Sequence, residues 1–377
     1  MDNNKWDLLT TGVFADDEVS ELVANNYNAV FVKRKGVKIR LDNLFDSEED
    51  YINSIQDLAE LIEKEQDDFL FEGRLKNEKV GIVRVHVVMP PAADVPQVTM
   101  ARKSLSMSTL DNYLKYNSIN SRIADFLRAA TKIGITMVFS GGTGTGKTTL
   151  LEALTKEWDD DWRIGVVEDS PELMLKQPNV TYLHSSVWKP GMDLNEVATL
   201  QWCVQQINRM RTDRLIIGET RGKEFFDFVQ AANSGQNGSL TTIHADSPKM
   251  ALQKMSQFVV MAMPQPTRVA NLNIASTIGL IIQLKRYGPL YRVDEISEVS
   301  RILSNDESAS IATSTLFKYN PKTDSWEDTS LSGLTDESKK LFEKHGYSLN
   351  NFKKSNYRDN SFEEFSANFQ RFNRGNI

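Results

Sequence analysis

The stretch "GGTGTGKTTL", residues 141–150, directly follows the apolar run "ITMVFS". It matches the pattern G-x-x-x-x-G-K-S/T through Gly141, Gly146, Lys147 and Thr148. Glycines let the backbone turn sharply and bring its N–H groups against phosphate oxygens, and the positive end of the following helix adds to the attraction. Because an apolar strand precedes the loop and a helix follows it, the pattern predicts a phosphate-binding loop rather than a turn that only joins strand to helix.

The whole loop is predicted to bind a nucleoside triphosphate, with Mg²⁺ as the accompanying ion. Lys147 is expected to reach the β- and γ-phosphates, and the Thr148 hydroxyl is expected to bind Mg²⁺. The predicted nucleotide ligands are Gly141, Gly142, Thr143, Gly144, Thr145, Gly146, Lys147, Thr148 and Thr149.

Composition describes an ordinary globular protein with room for two domains: 377 residues, of which 40% are hydrophobic and 25% are charged. The single cysteine, Cys203, cannot form an internal disulfide, which fits a reducing cytosol. No apolar stretch approaches the roughly 18–20 residues of a membrane span, and the N-terminus lacks the features of a signal peptide. The net charge of −7 argues against broad, sequence-independent DNA binding. We therefore expect a cytoplasmic protein.

The sequence predicts an α/β protein with two domains and an appendage. Apolar strands that alternate with helices after the phosphate loop favour a mostly parallel, covered sheet. The predicted divisions are an N-terminal α+β domain (1–105), a helical linker (106–130), a RecA-like ATPase domain (131–300) and a partly helical C-terminal extension with a frayed end (301–377).

The N-terminal patterns are shorter. Residues 17–25, "DEVSELVAN", are predicted to be helical, and residues 28–41 are predicted to form a hairpin that turns at Gly36. An amphipathic helix follows over residues 47–65, and "VGIVRVHVVMPP" is predicted to be a strand that ends at its two prolines.

Three further stretches carry polar side chains at or near the ends of predicted strands, where ligands of open α/β sheets gather. The first is "RIGVVEDSPEL", in which Glu168 and Asp169 end a strand. A carboxylate at this place can organise water around Mg²⁺. The alternative is an acidic pair that caps the next turn.

The second stretch is "RLIIGETRG", whose apolar run leads to Glu219. A carboxylate here is placed to orient the attacking water. Many P-loop ATPases carry an aspartate directly before it, and this chain has Gly218 instead. Arg221 is the candidate among the basic residues around this strand, although a basic run is more often a solvated face.

The third stretch is "SGQNGSLTTIHADSP", in which His244 ends a short strand. A histidine there can hydrogen-bond the γ-phosphate and report hydrolysis. For an isolated histidine, structural packing is the competing interpretation, and it is the one we give to His86, His184 and His345.

In this order the four stretches resemble those of the secretion-superfamily ATPases, the motors of type II and type IV secretion, type IV pilus assembly and conjugation. The resemblance covers about residues 11–299. Within the superfamily, "VRVHVVMPP", "QVTMARK" and "RMRTDRLIIGETRG" are most similar to the CpaF-like (Tad pilus) and conjugation branch. The resemblance implies an N-terminal domain, a flexible linker and a RecA-like domain, assembled as a ring of six.

The resemblance also implies roles for single residues. Arg84 and Arg102 match the positions from which N-terminal arginines reach the phosphates of an ATP held between the two domains. One position departs from the family pattern, because Gln236 stands where the family usually has a histidine. Glutamine cannot become a cation, so turnover is expected to be slow or differently regulated if that histidine couples hydrolysis to motion.

The leading hypothesis is a hexameric cytoplasmic ATPase that powers protein or DNA export, or pilus assembly. Its implied partners are an inner-membrane platform or secretion-channel proteins, which would bring it to the membrane indirectly, and no sequence-specific nucleic acid is expected. The open alternatives are a nucleotide-binding ring with low turnover, a RecA-like DNA motor and, least favoured, a small-molecule kinase. The predicted catalytic residues are Lys147, Glu168, Glu219, Arg221, His244, Arg84 and Arg102, and the predicted metal ligands are Thr148, Glu168 and Glu219.

Overall fold

Two β-sheets, each with its own apolar core, organise the chain. The two sheets follow each other along the sequence, and the helices between and around them complete the two cores. The computed structural model describes residues 5–34, 37–64, 69–77, 79–102, 109–186, 197–288, 290–303, 310–328 and 331–347.

The N-terminal sheet has six antiparallel strands. They are β1 Val19–Ala24, β2 Val30–Arg34, β3 Val37–Leu41, β4 Leu70–Asn77, β5 Gly81–Val88 and β6 Gln97–Arg102, in the spatial order β3-β2-β1-β6-β5-β4. Helices α1 Lys5–Val13 and α2 Glu48–Leu61 cover one face. The predicted hairpin and amphipathic helix are therefore confirmed, while Gly36 lies outside the described residues.

The helix predicted over residues 17–25 is wrong, because this segment is the strand β1. Val19, Leu22 and Ala24 are buried in the core. A register shift between Val19 and Glu21 breaks the strict alternation that would have identified a strand. Pairing with β2 on one side and β6 on the other satisfies the backbone, so tertiary context overrides the local pattern.

The C-terminal sheet has nine strands, and its central part is parallel. Its strands are β7 Met137–Gly141, β8 Ile164–Glu168, β9 Val180–His184, β10 Arg214–Ile217, β11 Leu240–Ile243, β12 Leu280–Tyr287, β13 Leu290–Leu303, β14 Ile311–Asn320 and β15 Ser325–Asp328. Their spatial order is β15-β14-β13-β12-β7-β11-β10-β8-β9. The carboxyl ends of β7, β11, β10 and β8 therefore lie side by side, as the predicted α/β fold requires.

Helices cover both faces of this sheet and fill two apolar clusters. They are α3 Leu110–Lys115, α4 Ser121–Lys132, α5 Lys147–Thr155, α6 Leu200–Arg209, α7 Glu224–Asn233, α8 Pro248–Ala262, α9 Thr267–Thr277 and α10 Asp336–Lys344. No helix within the described ranges is long and apolar enough to cross a membrane.

The helices predicted as a linker belong to the core of the C-terminal sheet. Ile123, Phe126 and Leu127 of α4 are fully buried and pack in the same apolar cluster as β7. The described part of the predicted linker thus packs on the C-terminal sheet. It does so because the apolar face of α4 has to be buried against another element.

The boundary predicted at residue 300 needs correction, because β13 passes through it and two further strands extend the sheet. Phe126 contacts both Phe317 of β14 and Phe342 of α10, with ring centroids 5.5 Å apart in each pair. Buried Arg292 pairs with Asp324 in the turn between β14 and β15, at 3.3 Å. The described residues of β13, β14, β15 and α10 are therefore integral to the domain.

We predict that Phe317→Ala lowers the free energy of unfolding by about 3–5 kcal/mol, because it leaves a cavity where α4, β14 and α10 meet. Urea unfolding followed by circular dichroism measures the change. Met261→Ala is the control, since Met261 is 55% exposed and its loss should change little. A Phe317 variant as stable as this control would contradict the assignment of β14 to the core.

Candidate active site

The phosphate loop lies at the carboxyl end of β7, between β12 and β11, and leads into α5. Gly144 and Gly146 have φ angles of 68° and 89°, in the left-handed region that favours glycine. Gly141 is needed for another reason, since a Cβ there would lie 2.6 Å from the carbonyl oxygen of Leu284. The loop thus requires glycine at three of its predicted positions.

Helix α5 begins without a side-chain cap. Its N-cap residue is Gly146, and its first turn has no acidic side chain, so its first N–H groups have no side-chain acceptor of their own. Six other helices are capped by a side-chain oxygen, from Ser47, Thr109, Asn120, Thr199, Ser247 and Thr335. An uncapped, positive helix end beside a glycine loop fits a phosphate group well.

Lys147 is the first residue of α5, and its ammonium group folds back over the loop. Its Nζ donates to the carbonyl oxygens of Gly141 (3.2 Å) and Gly142 (2.9 Å) and lies 3.3 Å from Nδ1 of His244. Burial lowers the pKa of Lys147, while the nearby Glu219 carboxylate opposes this change. The lysine is therefore a buried cation that is held by weak carbonyl acceptors.

His244 joins this lysine to Glu219. Its Nε2 lies 2.9 Å from Oε1 of Glu219, and its Nδ1 faces Lys147. Because a carboxylate only accepts hydrogen bonds, Nε2 carries the proton, and the Nδ1 lone pair can then accept from the ammonium. With a proton on Nε2, the ring can contact Glu219 and Lys147 at the same time. Lys254 donates to the His244 carbonyl oxygen and helps to hold the strand end.

Glu219 is held from its other side by Arg221. Nη2 of Arg221 donates to Oε2 of Glu219 at 2.9 Å, and Nη1 lies 3.4 Å from Asp169. Although burial raises the pKa of Glu219, the hydrogen bond from Arg221 and the charges of Arg221 and Lys147 outweigh it and hold the pKa below its usual range. Glu219 is therefore an ionised acceptor at neutral pH.

Glu168 lies in a different environment from the one expected of a metal ligand. It is 2% exposed, and its Oε1 accepts the backbone N–H groups of Glu172 (3.0 Å) and Leu173 (2.9 Å). Burial raises its pKa to about 7. Among the described residues, the hydrogen bonds of Glu168 hold the loop that follows β8, and none of them goes to Thr148.

The same carboxyl group explains Gly218. A Cβ at this position would lie 2.9 Å from Cγ of Glu168, closer than side-chain carbons normally approach. An aspartate before Glu219 would therefore collide with Glu168. The departure from the commonest P-loop pattern follows from the packing of two neighbouring strand ends, β8 and β10.

We name residues 169–175 the acidic loop. It contacts the N-terminal sheet: Arg84 forms an ion pair with Glu172, and Ser170 donates to Glu72. Arg74 donates from Nε to the Pro171 carbonyl oxygen at 2.7 Å. Neither Arg74 nor Glu72 was predicted from the sequence. The signal that could have identified them is the alternation of "FEGRLKN", residues 71–77, in which every second residue is polar.

Arg102 is placed away from this contact. It lies opposite Val83 in the pairing of β5 with β6, on the face that is buried in the N-terminal core. Its guanidinium donates to the carbonyl oxygens of Phe14 and Asp16. The structure thus brings Lys147, Glu219, Arg221 and His244 together, brings Arg84 to the acidic loop, and leaves Arg102 within the N-terminal domain.

Gln236 lies at the other end of β11 from His244. Its side chain is buried, with Nε2 3.5 Å from Oδ1 of Asn208. A strand of four residues separates the two ends by roughly 13 Å. The replacement of the family histidine by Gln236 therefore falls outside the Lys147–His244–Glu219 cluster of this chain.

A glycine loop before an uncapped helix, with a carboxylate and a histidine at neighbouring parallel strand ends, defines a P-loop ATPase. A family model described as "Type II/IV secretion system protein" matches residues 66–316, and the chain belongs to this family. The resemblance that the four sequence stretches predicted is thereby confirmed.

Individual relatives are consistent with this family. The chain is 28% identical over 297 residues to the conjugal transfer protein TrbB of Rhizobium radiobacter, covering 77% of this chain and 86% of that protein. It is 31% identical over 255 residues to the type IV secretion system protein VirB11 of Bartonella henselae, covering 57% and 70%. The fold is similar to the pilus retraction motor PilT with bound ADP: the TM-score is 0.55 at 12% identity, covering 90% of this chain and 86% of that structure.

We predict that Glu168→Gln changes the pH dependence of stability. The pKa of Glu168 in the folded protein, about 7, exceeds its ordinary value of 4.5, so folding favours the protonated acid. Its contribution to stability is complete below pH 4.5 and is lost as the pH rises through 7. A glutamine at position 168 stays neutral at every pH, so the variant does not lose this stability as the pH rises.

The unfolding free energy of Glu168→Gln, relative to wild type, should therefore rise by about 1–2 kcal/mol between pH 6 and pH 8.5 in urea titrations. Glu337→Gln, which removes a carboxyl group from an exposed ion pair, should show a flat difference over the same range. A flat difference for Glu168→Gln as well would show that the carboxyl group is ionised in the folded protein.

Proposed function

We propose that this chain is the motor subunit of a type IV secretion or conjugation machine, in which six copies form a ring. The observation that carries the proposal is the cluster of Lys147, His244, Glu219 and Arg221, which connects the phosphate loop to the acidic loop and so to the N-terminal sheet. ATP hydrolysis at one end of this cluster would change the contact between domains at the other.

In the proposed reaction, Glu219 orients the attacking water, because it is ionised and is fixed by partners on both oxygens. Lys147 would exchange the carbonyl oxygens of Gly141 and Gly142 for phosphate oxygens, which are stronger acceptors. The free N–H groups of α5 would hold the same phosphates. Positioning and charge of this kind account for most of phosphoryl-transfer catalysis.

Mg²⁺ is proposed to bind with the nucleotide. Within the described ranges no group of three or more His, Cys, Asp or Glu side chains could hold a metal ion. Mg²⁺ usually takes its ligands from phosphates and water with only one or two protein groups. The Thr148 hydroxyl at the start of α5 and the Glu219 carboxylate are the groups we propose, with Glu219 exchanging its contact with His244 or Arg221 for the ion. Oε1 of Glu168 accepts two backbone N–H groups of the acidic loop, and its Oε2 is buried without a hydrogen-bond partner among the described residues.

The names of the relatives suggest the machine that the motor serves. TrbB is described as a conjugal transfer protein and VirB11 as a type IV secretion system protein. We propose that this chain acts likewise at the cytoplasmic face of an inner membrane, where it docks on membrane proteins of a secretion channel or platform. The cargo would be protein or a DNA–protein complex, without sequence-specific contact of this chain with nucleic acid.

We predict that Lys147→Ala abolishes ATP hydrolysis and that Glu219→Gln lowers kcat by about 100-fold or more while ATP still binds. The first change removes the phosphate-binding cation, and the second removes the base but keeps a hydrogen-bonding side chain of the same size. Steady-state phosphate release and binding of a fluorescent ATP analogue measure the two effects.

The control is Glu21→Gln, a carboxylate that pairs with Lys33 in the N-terminal sheet, and its activity should equal that of the wild type. Full turnover in Glu219→Gln would remove Glu219 from the catalytic role. A wild-type chain that hydrolyses ATP no faster than Lys147→Ala would contradict the proposed function itself.

A further inference from the structure

The pairing of β4 with β5 decides which arginines of the N-terminal sheet can face the acidic loop. Arg74 and Arg84 lie directly opposite each other in this antiparallel pair, so their side chains share a face. Arg102 lies opposite Val83, which is fully buried on the other face. The two arginines that meet the acidic loop are therefore Arg74 and Arg84.

These two arginines hold the loop differently. The pair of Arg84 with Glu172 is open to solvent, with 42% and 39% of the side chains exposed, and pairs of this kind contribute little free energy. Arg74 instead donates to a backbone carbonyl, that of Pro171, from a partly buried guanidinium. A bond to the backbone fixes the path of the loop itself.

Arg74 is a partly buried cation with one donor that is unpaired in the described part of the chain. Burial lowers its pKa, and the neighbouring carboxyl groups of Glu168 and Glu172 oppose the change. Its Nη2 is buried without a hydrogen-bond partner among the described residues. A buried donor without a hydrogen-bond partner lowers the free energy of unfolding. The arginine at position 74 therefore reduces the stability of the folded protein through this unpaired group.

The acidic loop leads directly from Arg74 to the catalytic carboxylate. Asp169, two residues before Pro171, lies 3.4 Å from Arg221, and Arg221 donates to Glu219 at 2.9 Å. Asp169 is also held by the Ser185 hydroxyl, at 2.6 Å. A shift of Pro171 would therefore move Asp169 and, through Arg221, change the orientation of Glu219.

We propose that Arg74 is a positioning residue for ATP hydrolysis, which acts on Glu219 through Pro171, Asp169 and Arg221. The proposal rests on the proposed function, since it assigns a further residue to the same reaction. Arg74 thereby makes the geometry of the catalytic carboxylate depend on where the N-terminal sheet lies. Arg102, which the family resemblance had implied, has no comparable path to the site.

A double-mutant cycle of Arg74→Gln with Asp169→Asn tests this path. Misplacing a catalytic group by about 1 Å costs up to about 100-fold in rate, so each single change should lower kcat by roughly 10- to 100-fold. If both act through the same contacts, the double variant should lie within about twofold of the slower single variant. Binding of the ATP analogue should be unchanged, and Arg74→Lys, which keeps a donor for Pro171, should recover most of the lost kcat.

The control is Arg34→Gln, which removes an arginine paired with Asp16 and Glu18 within the N-terminal sheet and should leave kcat and the thermal midpoint unchanged. If Arg74→Gln does not fold, Arg74→Met replaces it, because methionine keeps much of the aliphatic stem. The same loss of kcat and the same twofold limit for the double variant are then expected.

Three results would overturn the proposal: an unchanged kcat in Arg74→Gln, a raised KM with kcat intact, or effects that multiply in the double variant. Each would occur in a chain whose wild type still hydrolyses ATP, which separates failure of this inference from failure of the proposed function.

Discussion

The site depends on one carboxylate that is held from two sides. His244 binds one oxygen of Glu219 and Arg221 binds the other, and each of these partners leads elsewhere: His244 to Lys147 of the phosphate loop, Arg221 to Asp169 of the acidic loop. Because charged hydrogen bonds are strong and directional, the carboxylate cannot reorient without changing both. In the proposed mechanism, catalysis and the contact between domains are therefore linked through the position of Glu219.

This constraint also explains the second acidic residue of the site. Glu168 ends the strand next to Glu219, but its carboxyl group turns under the acidic loop and binds two backbone N–H groups there. Gly218 provides the space for that turn. Two carboxylates on adjacent strands thus have separate tasks, set by burial: one stays ionised and faces the phosphate loop, and the other has a raised pKa and holds a loop.

Much of the fold could be predicted from the sequence, because buried parallel strands appear as apolar runs and a phosphate loop has fixed spacing. Strand β1 could not, since its bulge disturbs the alternation, and β14 could not, since only three of its ten residues are buried. The cluster around Glu219 was predictable as a set of strand-end residues, although its pairings were not.

Which arginines of the N-terminal sheet reach the site depends on the pairing register of its strands, and this register could not be predicted from the sequence. Arg84 and Arg102 are both arginines at strand positions, yet a pairing that places Arg102 opposite Val83 turns it into the core. The pairing of β4 with β5 places Arg74 opposite Arg84 and brings it to the acidic loop. Motif resemblance identifies the right strands here, and only the pleat of the sheet decides which side chains reach the site.

We propose that ATP hydrolysis requires an assembled ring, in which the contacts between domains set the catalytic geometry. The most direct measurement is ATP turnover per subunit over a wide range of protein concentration, with particle mass determined in the same samples with Mg²⁺-ATP. We expect turnover per subunit to rise together with the fraction of hexamer. Full turnover by a monomer at every concentration would contradict it.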